Sequence, residues 1–489
     1  MLKKSGIFLI ILTIVFACAR NPVTGKKELS LMSKQQEIAL GKENDPKIVA
    51  QFGLYEDEQL QRFIEKEGKA MAAISHRPDL PYEFKILDSP VVNAFAVPGG
   101  FVYFTRGIMV HFNNSAEFAG VLGHEIGHIT AKHSVNQYSK SVFAQLGLIA
   151  GIIIKPELAQ YMDIASTGLQ LLFLKFGRDD ESQSDELGVE YSTKVGYQAH
   201  EMADFFKTLD RLSGGPEGRI PTFLSTHPNP LNRYERVHEL ADKYQSKLNK
   251  SDAELTVERN GYLEMIDGMI YGEDPRQGYV EGNYFYHPEL TFLYPIPNGW
   301  RTINTPEMVQ MAPEDGKAIL VLRLSAEESL QAASNAASEE LQFTVVQSDQ
   351  RKINGMNALV TVADQNQDPN TPPEQQTPVK IRSGYINYGG YIYEFHGLSE
   401  ASSFAIYQPT FDGTIFGFNR LTDPSKINVR PNRLDIRTVS SNTSLRQYLI
   451  AQGVSEDRLE EHAVVNGMYL EDDLQKGTLV KVIEGDKKW

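Results

Sequence analysis

Five residues, His124-Glu125-Ile126-Gly127-His128, constrain this chain more than any other stretch. The H-E-x-x-H spacing has a chemical meaning on a helix, where residues four apart lie one turn above each other and two imidazoles converge on one point. The surrounding sequence predicts a helix over Asn114 to His133. Asn114 with Glu117 three positions on resembles a capping box, and no proline follows until Pro156. Glu125 then projects beside the convergence point, where a carboxylate can take a proton from water activated by a metal ion. Chance would produce the pattern in roughly 2% of chains with these His and Glu frequencies, leaving two core histidines beside a surface glutamate.

Composition narrows what can surround such a helix. The 489 residues allow about three domains, and 23% charged with 10% aromatic residues is ordinary globular usage, which excludes wholesale disorder. With 48 Lys+Arg against 63 Asp+Glu, a net charge of −15 and no long basic stripe, nucleic acid is excluded as a partner. The single cysteine, Cys18, rules out an intramolecular disulfide framework and a cysteine-built zinc finger or iron–sulfur site. Any metal centre is therefore made of histidine and carboxylate.

Cys18 closes the one strongly membrane-seeking segment. Lys3-Lys4, the apolar run Ile7 to Phe16 and the small-residue site Ala17-Cys18 read as a secretory signal peptide over residues 1–18. Val15-Phe16-Ala17-Cys18 resembles the bacterial lipobox, whose cysteine is acylated and becomes the mature N-terminus. The alternative is an uncleaved signal anchor, for which so short a run is thin against a hydrocarbon core of ~30 Å. A globular protein tethered outside the cytoplasm is expected.

Tyr82 to Leu87 and Phe101 to Phe104 read as strands, the second after the Pro98-Gly99-Gly100 turn. Strands followed by a long run of helices suggest an α+β domain spanning residues 21–249. The polar segment Ser246 to Asp252 is expected to end it. Beyond lie β-rich stretches at Tyr284 to Tyr286, Leu290 to Tyr294, Ala318 to Leu322 and Tyr391 to Phe395, interrupted by a Pro/Gln/Asn-rich loop between Asp364 and Pro378. The tail from Leu434 reads strand, helix, a second helix, strand.

A hydrolytic zinc site needs a third protein ligand. Glu181 lies in the acidic run Arg178 to Asp185, on a segment that reads as helix from Ala165 to Val195, and Asp185 sits one turn beyond it. One carboxylate can bind the ion while the other holds the free N–H of a ligating histidine. Without the histidine motif, the same run would read as a solvated helix face.

Here the chain resembles the M48 family of zinc-dependent metallopeptidases, in particular its lipoprotein-type bacterial members. The blocks that carry the resemblance are Asn21-Pro22-Val23-Thr24-Gly25, Glu37-Ile38-Ala39-Leu40-Gly41, Asn93 to Gly100, Gly123 to His128, Glu181 to Asp185, and Ser225-Thr226-His227-Pro228 with Arg233. The resemblance implies a mainly helical, gluzincin-like α+β domain with a small sheet. It implies one Zn2+ held by His124, His128 and Glu181, Glu125 as catalytic base, and Asp185 behind a ligating histidine. Position 184 carries Ser where many members carry Ala. His227 and Arg233 are candidate catalytic donors to the oxyanion, and His227 is also a candidate to approach the zinc and hold the enzyme latent. Their bland readings are a loop histidine and a salt-bridged surface arginine. His133, five residues beyond His128, turns away on a continuous helix and is given no ligand role.

Phe101, Val102, Tyr103 and Phe104 resemble the edge strand on which such peptidases lay an extended substrate, against simple core packing as the alternative. The apolar stretch Val142 to Ile154 is expected as a buried helix, or else a hydrophobic flap. Residues 255–425 resemble an accessory α/β sandwich of the PsbP/Mog1 type, and residues 430–489 a small LysM-like domain with a glycan-binding or a docking role. The expected function is that of a membrane-anchored zinc metalloendopeptidase cleaving unfolded or misassembled envelope proteins. It would sit in the outer membrane facing the periplasm, with peptidoglycan or an envelope protein as a further contact of its C-terminal part. The competing expectation is a non-proteolytic chaperone or scaffold lipoprotein with a latent metal site.

Overall fold

The computed structural model describes residues 18–29, 32–137, 176–214, 222–227, 233–366 and 377–485. The segment up to residue 17, expected as a signal peptide, and the apolar stretch Val142 to Ile154 lie outside the described residues, as does most of the Pro/Gln/Asn-rich loop. Among those described, no helix is long and apolar enough to cross a membrane.

The chain divides into two compact units. One holds the described residues up to Glu273 together with the tail from Asn432, and the other is Asp274–Pro431. The first begins with a short antiparallel pair, β1 (Cys18–Arg20) and β2 (Lys27–Leu29). Helix α1 (Lys34–Phe52) starts at Ser33, whose side chain and that of Gln36 form a reciprocal cap. Helix α2 (Glu58–Ala73) starts at Asp57, which accepts from the N–H groups of Gln59 and Leu60. Its Leu60, Ile64 and Met71 recur at helical spacing and are buried.

Strands β3 (Glu83–Leu87), β4 (Ala94–Val97) and β5 (Phe101–Thr105) form a sheet in the order β3-β5-β4, with β3 parallel and β4 antiparallel to β5. Phe101, Val102, Tyr103 and Phe104 therefore do not form an edge. They lie on the central strand, with both backbone edges paired and every side chain buried. A tight turn from β4 explains the antiparallel pair, while the parallel pair brings β3 to the flank that the strand's own sequence leaves undetermined. Among the described residues β3 and β4 are the two outer strands.

After α3 (Arg106–Met109) comes α4 (Ser115–Thr130), capped by Asn114, which accepts from the Glu117 N–H at 2.8 Å. All sixteen of its residues are buried. It stops at Thr130, short of the expected His133, because Lys132 adopts a left-handed backbone with φ of 62°. That conformation costs about 1–2 kcal/mol for a non-glycine residue, and Lys132 is held there by its Nζ, 2.8 Å from the buried Glu37 carboxylate. Helix α5 (Arg178–Lys194) crosses α4 where glycine meets glycine, followed by α6 (Glu201–Ser213), α7 (Thr222–Thr226) and α8 (Arg233–Leu248). The first unit does not end near Asn249; it continues through α9 (Arg259–Met265) and β6 (Ile270–Tyr271).

In the second unit, β7 (Tyr279–Glu281), β8 (Tyr284–His287) and β9 (Phe292–Pro295) make an antiparallel meander. Next come β10 (Arg301–Asn304), β11 (Met308–Ala312), β12 (Ala318–Leu324), helix α10 (Leu330–Glu340), then β13 (Phe343–Ile353), β14 (Met356–Gln365), β15 (Val379–Tyr388) and β16 (Tyr391–Glu400). These strands form an antiparallel sheet in the order β10-β11-β12-β16-β15-β14-β13. Helix α11 (Phe404–Gly417) packs on it through Phe411 and Ile415, and β17 (Asn419–Arg420) returns to pair with β9.

The tail shows the expected order: β18 (Asn432–Thr438), α12 (Leu445–Ala451), α13 (Leu459–Val465) and β19 (Leu479–Glu484). β18 pairs with β6 as well as β19, and Leu434, Val465 and Ile483 share one core with Phe112, Phe118 and Tyr262. The tail is thus part of the first unit's core.

Candidate metal centre

Helix α4 presents His124 and His128 on one face, with their Nε2 atoms 3.0 Å apart. Helix α5 brings Glu181 opposite them, Oε1 lying 3.5 Å from His128 Nε2 and Oε2 3.6 Å from His124 Nε2. Close approach of the two backbones makes this reach possible. A Cβ on Gly188 would stand 3.0 Å from the backbone of both Gly120 and His124, so only glycine allows the crossing. His227, at the end of α7, supplies a fourth donor: its Nδ1 is 3.0 Å from Glu181 Oε1 and 3.3 Å from His124 Nε2. One ligand atom from each of the four residues lies within 4.8 Å of the others, and all four residues are buried.

Around this set stands a second layer. Asp185 Oδ1 is 3.0 Å from His124 Nδ1, as expected for a carboxylate that fixes a ligating imidazole. Arg233 does not aim at a substrate oxyanion. Its Nε donates to Asp185 Oδ2 at 2.9 Å and its Nη2 to Oδ1 at 2.6 Å, a bidentate fork. Its Nη1 is 3.5 Å from Glu181 Oε2, and the guanidinium stacks 4.0 Å from the Phe206 ring centre. Arg233 is therefore a positioning residue for both carboxylates.

The electrostatics follow from burial and pairing. Burial alone would raise the Glu181 carboxyl, but the charge of His227 and its hydrogen bond hold it well below the usual range. Asp185 behaves likewise, burial being overcome by Arg233 and His124. Burial drives His128 well below an ordinary histidine, so it presents a lone pair. His227 is raised: burial lowers it, and the charges of Glu181 and Glu125 more than compensate. Glu125 goes the other way, pushed up by burial, with the charges of His227 and His124 opposing.

Glu125 is chemically distinctive. Both carboxylate oxygens are buried and find no hydrogen-bond partner among the described residues, the nearest cation being His227 Nε2 at 3.7 Å. An unpartnered buried carboxylate is costly to keep unless a reaction uses it. Glu181 Oε2 is also unpartnered and buried. Three imidazoles and a carboxylate facing one point match the nitrogen and oxygen set that holds Zn2+. These residues fit the ion.

His133 and Phe176 extend the site beyond what spacing suggested. Because α4 ends at Thr130, His133 folds back so that its Nδ1 stands 3.0 Å from His128 Nδ1. Phe176, just before α5, lies 4.0 Å from the His128 ring, and Phe223 stacks on His227 at 4.6 Å. No sequence signal marked the left-handed turn at Lys132, which is not glycine or asparagine.

A buried H-E-x-x-H helix crossed by a second helix that contributes a glutamate defines a zincin-type metallopeptidase centre. Residues 58–241 match the family model described as Peptidase family M48. That stretch of the chain carries the pattern of the family. The mitochondrial metalloendopeptidase OMA1 of Arabidopsis thaliana is 31% identical over 204 residues, 41% of this chain and 40% of its own length. The β-barrel assembly-enhancing protease of Escherichia coli K12 is 24% identical over 255 residues, 50% of this chain and 52% of its own length. This chain thus spans between two fifths and about half of each of these relatives. Among solved structures, cyanobacterial PsbP from Synechocystis covers 29% of this chain and 96% of its own at 12% identity, with a TM-score of 0.22 that carries no weight.

Proposed function

We propose that this chain is a zinc-dependent endopeptidase that hydrolyses peptide bonds in unfolded or misassembled proteins of the bacterial envelope. The single observation that carries the reading is the unpartnered Glu125 carboxylate beside the converging His124, His128 and Glu181. A zinc ion held by those three residues would supply Lewis acidity toward the scissile carbonyl and acidify a bound water. Glu125 takes the proton of the attacking water and returns it to the leaving amine. The burial that raises its carboxyl also brings its basicity nearer to neutral pH, which suits that exchange. Asp185 and Arg233 hold His124 and Glu181 in place. The substrate backbone would run along β4, whose outer side has no strand partner among the described residues.

The envelope as workplace is supported by the β-barrel assembly-enhancing proteases among the relatives and by the lipobox-like Val15 to Cys18. We extend the proposal to a lipid anchor on Cys18 in the outer membrane, to a PsbP/Mog1-like accessory role for the second unit, and to contact with peptidoglycan or an envelope protein through the C-terminal part. Cys18→Ser should release the protein from membranes, and a variant that still sediments with them would exclude the anchor.

A second reading is a latent enzyme, or a scaffold with a filled metal site. His227 favours it, because its Nδ1 stands within reach as a fourth donor and would fill the position that water otherwise takes. The deciding experiment measures bound zinc and cleavage of an unfolded protein. For Glu125→Gln, zinc should be retained and the rate should fall by about 10²–10⁴. Zinc in the wild type with no cleavage, and activity appearing in His227→Ala, would select the latent form.

A further inference from the structure

We propose that His133, with Gln183, sets the tautomer of the metal ligand His128 and is a positioning residue of the metal centre. The inference rests on the zinc reading above and concerns residues that neither the motif nor the family pattern assigns.

Proton positions follow one another along two rings and an amide. His133 Nε2 lies 2.9 Å from Gln183 Oε1, and 3.7 Å from the carboxylate of Asp180. An amide oxygen and a carboxylate only accept, so His133 carries its proton on Nε2. Its Nδ1 is then a lone pair. Ser184 Oγ at 3.2 Å and His128 Nδ1 at 3.0 Å both face that lone pair. A second lone pair on His128 Nδ1 would repel it at this distance, so the contact favours the proton on His128 Nδ1 and leaves its Nε2 bare toward His124, Glu181 and the site. The opposite tautomer would put a hydrogen on Nε2, where the ion has to bind.

His124 reaches the same state by a different route, its Nδ1 facing Asp185 Oδ1 at 3.0 Å. The two ligating histidines are thus oriented by unlike partners, a carboxylate fixed by Arg233 and a neutral imidazole fixed by Gln183. A ligating histidine usually donates its other N–H to a carboxylate, a carbonyl or water. Here a second histidine does that work, and it does so because the left-handed Lys132 ends α4 and returns the chain.

Gln183 gives the proposal its sharpest test, since it lies two shells from the ion and is partly exposed. Glutamate at this position is an acceptor only and preserves the proton order; methionine removes the acceptor. Zinc dissociation constants, measured by chelator competition on the full chain, should rise about 10- to 100-fold in His133→Ala. The same direction, more weakly, is expected for Gln183→Met, with Gln183→Glu close to wild type. Saturating zinc should restore the turnover of His133→Ala, which it would not do for a group that takes part in the chemistry. Wild-type affinity in both His133→Ala and Gln183→Met would overturn the proposal while leaving the metal reading intact. A wild type that binds no zinc would overturn both.

Discussion

At Asp185 a single carboxylate accepts two nitrogens of Arg233 in parallel, and a lysine cannot reproduce that fork. Arg233→Lys should therefore keep the charge and lose the geometry, lowering zinc affinity by about tenfold or more, read by chelator competition. A second residue tests buried charge. His111 faces the Gly107 carbonyl at 2.6 Å, and burial pushes it down to about 4 against that carbonyl's opposing pull. The unfolded chain takes up this proton near pH 6.5, before the folded one. Stability is then complete above that pH and lost as pH falls toward 4, by at most about 3 kcal/mol. His111→Gln should flatten the acid limb of melting temperature against pH; parallel limbs would remove His111 as a cause. At this scale the sequence was legible where spacing alone determines position. His124, Glu125 and His128 follow from one helical turn, and Asp185 from another after Glu181. His133 was not legible, because its position depends on one backbone angle at Lys132.

The metal centre exists because two helices touch along their backbones. Gly123 and Gly188 stand at the crossing of α4 and α5, where a Cβ on Gly123 would lie 2.9 Å from the Gly188 carbonyl oxygen. In an exposed helix, glycine to alanine stabilises by about 0.5–1 kcal/mol. At Gly188 the sign reverses, since the added methyl meets the backbone of Gly120 and His124 and overpacking costs about 1–3 kcal/mol. Glu181 and Asp185 ride on the helix that must shift. Gly188→Ala should thus lower the melting temperature and weaken zinc binding together; a stabilised variant with full zinc affinity would contradict the close-contact account. Element identity was readable from periodicity and caps, as Asn114 illustrates. Adjacency was not. The aromatic and β-branched run Phe101 to Phe104 announces a strand, yet only its neighbours decide whether it is an edge, and the parallel partner β3 is set by packing.

On the scale of the whole molecule, the tail reads as strand, helix, helix, strand, but its relation to the rest of the first unit is invisible in that pattern. Lys481 shows why. It sits in Leu479–Glu484, where a lysine between apolar residues would be assigned to the solvent side, yet it is fully buried. Its Nζ donates to the carbonyls of Val110 at 2.9 Å, Phe112 at 2.6 Å and Val465 at 2.9 Å. Three carbonyls satisfy the three donors of an ammonium, and two of them belong to the turn that leads into α4. Arg211 adds a bond to the Met468 carbonyl at 2.7 Å, and Arg259 one to that of Leu479 at 3.2 Å. Lys481→Met keeps the stem and removes every donor, leaving the three carbonyls without the bonds that Lys481 supplied. The expected loss is about 3 kcal/mol or more, since each unsatisfied buried acceptor costs roughly 1–3 kcal/mol. Urea unfolding of the full chain measures it. Removal of everything after Pro431 should then do more than detach a separate module: it should expose the Phe112 and Tyr262 core, and with it the turn that leads into α4. A truncated chain that stays folded and retains zinc, together with a tail that folds alone, would show that the two parts are independent after all.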